Sequence, residues 1–314
     1  MSVLSSRYFH CEETAFEHLE SIVWANGVSC PHCGSMSGKH YDLRKTRLGL
    51  RKCSDCRKQF TVKVGTVFES AHIPLNKMLQ AVYLMCASKK GISAHQLHRV
   101  LGITYKSAWF LCHRIREAMR SGDLAPMGGA GGTVEVDETF IGVDRTIKPK
   151  GEKKGRGYAH KHKVLSLVDR EAGRVRSMVV DSLSAKALTP ILQANIDREA
   201  RVMTDEAGQY HHIGKHFAGG HAYTSHGAGE YVNMQDRTIH TNTIEGNFSI
   251  FKRGMKGTYQ HCAKHHLHRY LAEFDFRYNN RSALGVEDMQ RSTTALLGIS
   301  GKRLKYQGPC SEVH

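Results

Sequence analysis

TVEVDETFIG, residues 133–142, sets three carboxylates within four positions. Val134 and Val136 alternate with Glu135 and Asp137, and this period of two predicts a β-strand. Carboxylates clustered on a partly buried strand repel one another and lose hydration unless a cation is present. A strand with one wet face explains the same residues without any chemistry. Downstream, Val164–Val168 and Val175–Val180 predict two more strands, joined by a turn at Glu171–Gly173. Ser184 then caps a helix running to about Ile196. Arg201 to Thr204 is a fourth short strand that ends in Asp205-Glu206. Active sites tend to gather at the carboxyl ends of strands in open α/β sheets, although a turn-initiating Asp gives the same pattern.

A third acid follows in TNTIEGNFSIFK, residues 241–252. Ile244, Phe248, Phe251 and Met255 recur at helical spacing and predict one apolar stripe. Glu245 and Lys252 are seven residues apart, about 10.5 Å of helical rise, and share a face beside that stripe. An acid and a base so placed can hold a metal and a phosphate together. The plainer alternative is a capping box, with Asn242 as the cap and Glu245 three residues on. Between Asp205 and this helix, His211 to His240 is rich in His and Gly, and its irregular spacing predicts a loop or insertion. Lys264 to Asn280 predicts a long helix, and the sequence beyond Gly285 has no clear pattern.

The amino-terminal third differs. Cys30-Pro-His-Cys33 and Cys53-Ser-Asp-Cys56 are two CxxC knuckles separated by 19 residues. Each turns two thiolates to one side, so Cys30, Cys33, Cys53 and Cys56 predict a closed, structural Zn2+ site on a small β ribbon. From Lys39 to Lys63 there are nine Lys or Arg against two acids, a balance suited to a DNA backbone. Leu75–Ala87, Ala94–Leu101 and Tyr105–Arg120 predict helices, with Ser93 and Thr104 as caps and Gly102 as a stop. This is a helix-turn-helix pattern, and it places Tyr105, Lys106 and Ser107 for major-groove contact. Residues 121–132, with five glycines and a proline, predict a linker. Asp144 to Lys163, with eight Lys or Arg against two acids, predicts an exposed loop in which Lys153, Lys154 and Arg156 grip phosphates.

The whole chain of 314 residues carries a formal charge of +16, which favours a polyanion as partner. No apolar run reaches the length of a membrane span, and no signal-peptide core is evident, so a cytoplasmic protein is expected. Five further cysteines lie outside the knuckles without pattern, which argues against a disulfide framework.

Three strands, a helix, a strand and then helices describe an RNase H-like core. With CPHCG at 30–34, RKCSDCRKQF at 51–60, VEVDETFIG at 134–142, TDEAGQY at 204–210 and HTNTIEGNFSIFKRGMKGTY at 240–259, the chain resembles bacterial insertion-sequence DDE transposases with an amino-terminal zinc ribbon, the ISXO-like group. HLHRYLAEFDFRYNNR at 266–281 closes the match. The resemblance implies Asp137, Asp205 and Glu245 as catalytic residues and ligands of two Mg2+ (or Mn2+) ions, with Lys252 as their basic companion. It singles out Asp137 over Glu135 and Glu138. It also implies double-stranded DNA as partner, cleavage at the 3′ end of the element, strand transfer into target DNA, a homodimer or larger assembly, and a place at the nucleoid. The expected organisation is a helix and zinc ribbon at 1–68, a helix-turn-helix region at 69–122, a linker at 123–132, an RNase H-like catalytic domain at 133–290 and a tail at 291–314. An RNase H-like nuclease that cuts without joining, an inactive DNA-binding regulator and an RNA-binding structural protein are the alternatives.

Overall fold

The computed structural model describes residues 2–36, 40–122, 125–143 and 160–304, and the chain divides into two units. Lys153, Lys154 and Arg156 lie outside the described residues. One unit comprises Met1–Arg120 with Gly285–His314, the other Ser121–Leu284.

In the first unit, α1 (Glu12–Val23) precedes a three-stranded antiparallel sheet, β1 (Tyr41–Asp42), β2 (Arg51–Lys52) and β3 (Gln59–Phe60), in that order. Strands of two residues bury little on their own. What they bury is Cys30, Cys53 and Phe60, with Trp24 edge-on to Phe60. Arg51 lies over the Trp24 ring and donates to Glu20 at 2.7 Å, tying the sheet to α1. The helices α2 (Leu75–Ala87), α3 (Ala94–Leu101) and α4 (Tyr105–Met119) follow. Ser93 accepts from the Gln96 N–H and Thr104 from the Ser107 N–H, so both caps form. Gly102 ends α3 in the left-handed region at φ 59°, where a side chain would be strained. The start of α2 has no local cap. Glu12 of α1 accepts from the Leu75 and Asn76 N–H groups instead.

The residues expected to form a tail carry a helix, α8 (Asp288–Leu297). Its buried Arg291 donates to the Cys86 carbonyl of α2 at 3.0 Å, and Ile299 accepts from the Val67 N–H. The run Ser292-Thr293-Thr294 hides this helix from a periodicity search, because its packing face is built largely from small and polar side chains.

The second unit is a mixed five-stranded sheet of order β6-β5-β4-β7-β8. Its strands are β4 (Thr133–Ile141), β5 (His162–Asp169), β6 (Arg174–Val180), β7 (Arg201–Asp205) and β8 (His221–Thr224). β4 is central, antiparallel to β5 and parallel to β7. β8 lies inside the His-rich segment that the sequence predicted as a loop or insertion, and it pairs parallel to β7. A four-residue edge strand with His and Thr in it leaves almost no apolar signature.

Val134 and Val136 face one layer with Leu188 and Leu192 of α5 (Ala185–Asn195). Residues of the opposite parity face α6 (Asn242–Gly254) and α7 (Lys264–Asn279), as Ile141 does in its cluster with Phe251 and Phe274. The stripe of Ile244, Phe248, Phe251 and Met255 is buried. At roughly 1.5–3 kcal/mol for each such side chain, this packing holds α6, since a helix of its 13 residues is marginal alone. α7 also covers the β6 edge. Asn279 exchanges two hydrogen bonds with the Val175 backbone, and Asp275 accepts from the Ser177 N–H and hydroxyl. The glycine-rich stretch expected as a linker is partly docked. Met127 joins the core, and at Gly128, φ 77°, a Cβ would lie 2.6 Å from Val134. No helix among the described residues is long and apolar enough to cross a membrane.

Candidate active site and zinc centre

The four cysteines come together as spaced. One Sγ from each of Cys30, Cys33, Cys53 and Cys56 lies within 4.8 Å of the others. Cys30–Cys56 and Cys33–Cys53 are each 3.7 Å apart. A tetrahedron with Zn–S bonds of about 2.3 Å has S···S edges of about 3.8 Å, whereas a disulfide needs about 2.05 Å. The Ser35 N–H favours the Cys33 thiolate, yet burial and the other three sulfurs push it up to about 12. Burial also works against the Cys53 thiolate, but the Cys56 and Asp55 N–H groups bring it down to about 6. The site suits a cation that lets all four ionise, and structural zinc fits its donor set.

The candidate carboxylates all lie on the second unit, on β4, β7 and α6. The β4–β7 pairing runs from Thr133–Arg201 to Glu135–Met203, Asp137 and Asp205 each follow two residues further along these adjacent strands, and the charge of Asp205 acts on Asp137. Glu245 lies in the first turn of α6. Burial pushes Asp137 up to about 8, helped by the charges of Glu138, Asp205 and Glu245, against the Glu138 N–H that it accepts at 2.6 Å. Among the described residues, the three acids are not drawn within 4.8 Å of one another as the cysteines are. A carboxyl whose pKa is raised first by burial and then by three acid neighbours is nevertheless the electrostatic setting that a divalent cation relieves.

The remaining acids of these motifs have partners. Glu135 is fully buried and accepts from Arg170 Nε at 2.6 Å and from the Ile244 N–H at 2.8 Å. Glu138 accepts from the Tyr210 hydroxyl and from Gln209 Nε2. Glu206 turns away to Ser225 and the Gly227 N–H. Glu245 is 39% exposed and accepts from the Thr241 hydroxyl at 3.2 Å. Thr241, not Asn242, holds the cap position, and no side-chain cap bond forms, so the alternative reading of a capping box is not realised. Asn242 is already helical and cannot cap. His226 Nε2 sits 3.5 Å from Glu245 Oε1. Sequence reasoning missed His226 and Arg170, which had no signal beyond the general His and Arg content.

Lys252 lies in the last turn of α6 with its Nζ 5.9 Å from the Phe248 ring centre. It lines a cavity of about 450 Å³ together with Lys161, Lys256, Ile141 and Met255. The chain passes into a π-helical turn, Met255–Tyr259, at this point. On the first unit, Tyr105 is 43% exposed and stacks on His95, while Ser107 is engaged by Thr104.

The raised Asp137 has a consequence for stability. A carboxyl whose folded pKa lies above its unfolded value stabilises the fold at low pH, and this contribution is lost as pH rises through the folded value. Metal-free protein is therefore expected to lose melting temperature between about pH 4 and 8. Asp137→Asn should melt higher than wild type at pH 8 and no higher at pH 4, with each kcal/mol appearing as about 2–4 °C. Melting curves at the two pH values check this, and an equal offset at both would refute it.

Two domain families match this chain. The ISXO2-like transposase domain matches residues 129–279, and the transposase zinc-ribbon domain matches residues 10–59. A curated relative, described as an uncharacterized protein in transposable element ISH50 of Halobacterium salinarum, is 30% identical over 280 residues, covering 86% of this chain and 91% of the relative. Among solved structures, the simian T-cell lymphotropic virus intasome in complex with PP2A regulatory subunit B56 gamma aligns at 13% identity and a TM-score of 0.28. That alignment covers 63% of this chain and 65% of the other, a little under two thirds, and its TM-score is too low to support a fold argument. The transposase-domain and zinc-ribbon matches, with the four-cysteine cluster, define a transposase of the insertion-element class. Specifically, the chain belongs to the ISXO2-like transposase family.

Proposed function

We propose that this protein is the transposase of an insertion element. It binds the terminal repeats of the element and catalyses metal-dependent cleavage at its 3′ ends and strand transfer into target DNA. The observation that carries the reading is that Asp137 and Asp205 lie on adjacent strands, with the charges of Asp205 and Glu245 both acting on the Asp137 carboxyl. The sheet order, with three antiparallel strands followed by two parallel ones, supports an RNase H-like fold.

Asp137, Asp205 and Glu245 would hold two Mg2+ or Mn2+ ions. When bound, such ions lower the pKa of a water and stabilise a leaving 3′ oxygen. The chain's own residues do the rest. The sheet fixes two of the carboxylates and α6 the third, so little reorganisation is needed at reaction. Lys252, with Lys161 and Lys256 along the same cavity, receives a backbone phosphate. The zinc ribbon and the α3–α4 pair, read as a helix-turn-helix with Tyr105, Lys106 and Ser107 presented by its second helix, grip duplex DNA. Two ends must be processed together, so a homodimer or larger assembly on DNA is the working form.

The test is incubation of the purified protein with a labelled element-end duplex, a plasmid target and Mg2+. Joined product establishes strand transfer. Cutting without joining supports a nuclease, and tight binding without reaction supports a regulator. In the same assay Lys252→Ala is expected to lower joining about tenfold and to reduce the salt dependence of end binding by about one counterion. An unchanged slope of affinity against salt would remove Lys252 from the phosphate.

A further inference from the structure

We infer that Glu135 is a positioning residue for the candidate active site. Its buried carboxylate pins the first turn of α6 to β4 and so sets the reach of Glu245 toward Asp137. The inference rests on the proposed function, since it assigns a task to a residue that touches neither substrate nor metal.

Glu135 lies two residues before Asp137, on the same face of β4. One of its oxygens accepts from the N–H of Ile244, the residue next to Glu245, at 2.8 Å. The other accepts from Arg170 Nε at 2.6 Å and lies 3.4 Å from His240 Nδ1. Arg170, just past the end of β5, also donates to the carbonyls of Thr238 and His240, each at 2.6 Å. Arg201, at the start of β7, donates to the Thr238 hydroxyl at 3.1 Å and to Asp236 at 3.2 Å. The strap leading into α6 is thus tied to three neighbouring strands, and Glu135 is the tie nearest Glu245. A carboxylate on helix N–H groups and a guanidinium fork both give short, directional bonds, suited to fixing a position rather than merely adding stability. The fully buried Glu135 is occupied by these donors, whereas Glu245 is left 39% exposed.

Titration of full-length protein with Mn2+, followed by the electron paramagnetic resonance signal of the free ion, tests this without relying on activity. Asp137→Ala is the control. Glu135→Gln keeps the size but cannot accept from both Arg170 and Ile244. Arg170→Lys keeps the charge but loses the fork, and it serves if the first variant does not fold. Each variant is expected to weaken Mn2+ binding about tenfold at temperatures where circular dichroism shows it fully folded. The Mn2+ concentration for half-maximal end cleavage should rise by the same factor, with cleavage recovering at saturating Mn2+. Folded variants with wild-type Mn2+ affinity, beside an Asp137→Ala control that has lost it, overturn the positioning role and leave the proposed function standing. Loss in Glu135→Gln as complete as in Asp137→Ala, without recovery, makes Glu135 a ligand and also overturns it. Unchanged binding in Asp137→Ala overturns the proposed function, and this inference with it.

Discussion

Asp137→Asn is expected to bring end cleavage and strand transfer down at least a thousandfold while the protein stays folded and bound to DNA. Asn has the shape of Asp, and its carbonyl oxygen can still accept from the Glu138 N–H. The substitution removes an ionisable carboxyl from a half-buried position whose neighbours include Glu138, Asp205 and Glu245. A thousandfold in rate is about 4 kcal/mol of transition-state stabilisation, in the range that a mislaid cation forfeits. Because the substitution also relieves repulsion, the metal-free variant should be at least as stable as wild type near neutral pH. Lost activity with undiminished stability separates a chemical role from misfolding. Glu206→Gln is the contrasting variant. Glu206 is turned to Ser225 and Gly227, and its substitution should change activity by less than about threefold. Strand-transfer yields measured beside melting curves decide the matter, and Asp137→Asn activity within tenfold of wild type would sink the assignment.

Removing zinc is expected to unfold the ribbon. Its strands have two residues each, and its buried cluster consists of Cys30 and Cys53 themselves with Phe60. Without a metal, crowded thiols replace a core, so the energy of binding is much of the energy of folding. For structural zinc this is about 10–16 kcal/mol in small zinc-finger peptides at neutral pH. Cys53→Ser, at a fully buried position, should behave as chelation does. In both cases protease cleavage should appear within residues 30–60, metal analysis should fall from one zinc per chain, and DNA affinity should drop. The sheet unit, Ser121–Leu284, has its own core and should keep its melting transition. A chelated protein as protease-resistant as the native one would show that zinc does not hold the ribbon.

Much of the fold was legible because it is local. α2 and α3 span the residues that their caps and apolar spacing predicted, Leu75–Ala87 and Ala94–Leu101. α4 ends one residue short of its predicted end, at Met119. The strand at 133–142 was legible in its alternation, and the cysteine cluster in its CxxC spacing. The site was legible only in outline. Asp137, Glu135 and Glu138 stand within four positions and look alike in sequence, and resemblance alone separated them. β8 and α8 were missed because short elements of His, Ser and Thr carry no hydrophobic period.

The sequence by itself determined the zinc ligands, the caps of α3 and α4 and the strand alternation, since each depends on residues a few positions apart or on a fixed spacing of one residue type. Only the tertiary structure decided which acids are engaged elsewhere. Glu135 is taken up by a backbone N–H 109 residues away, and Glu138 by a tyrosine 72 residues away. It likewise decided that the residues after Gly285 return to the first unit, through a hydrogen bond from Arg291 to Cys86, 205 residues apart. Such partners are brought together by packing of the sheet and helices, and no pattern within a short window of sequence encodes which distant group a buried carboxylate or guanidinium will meet.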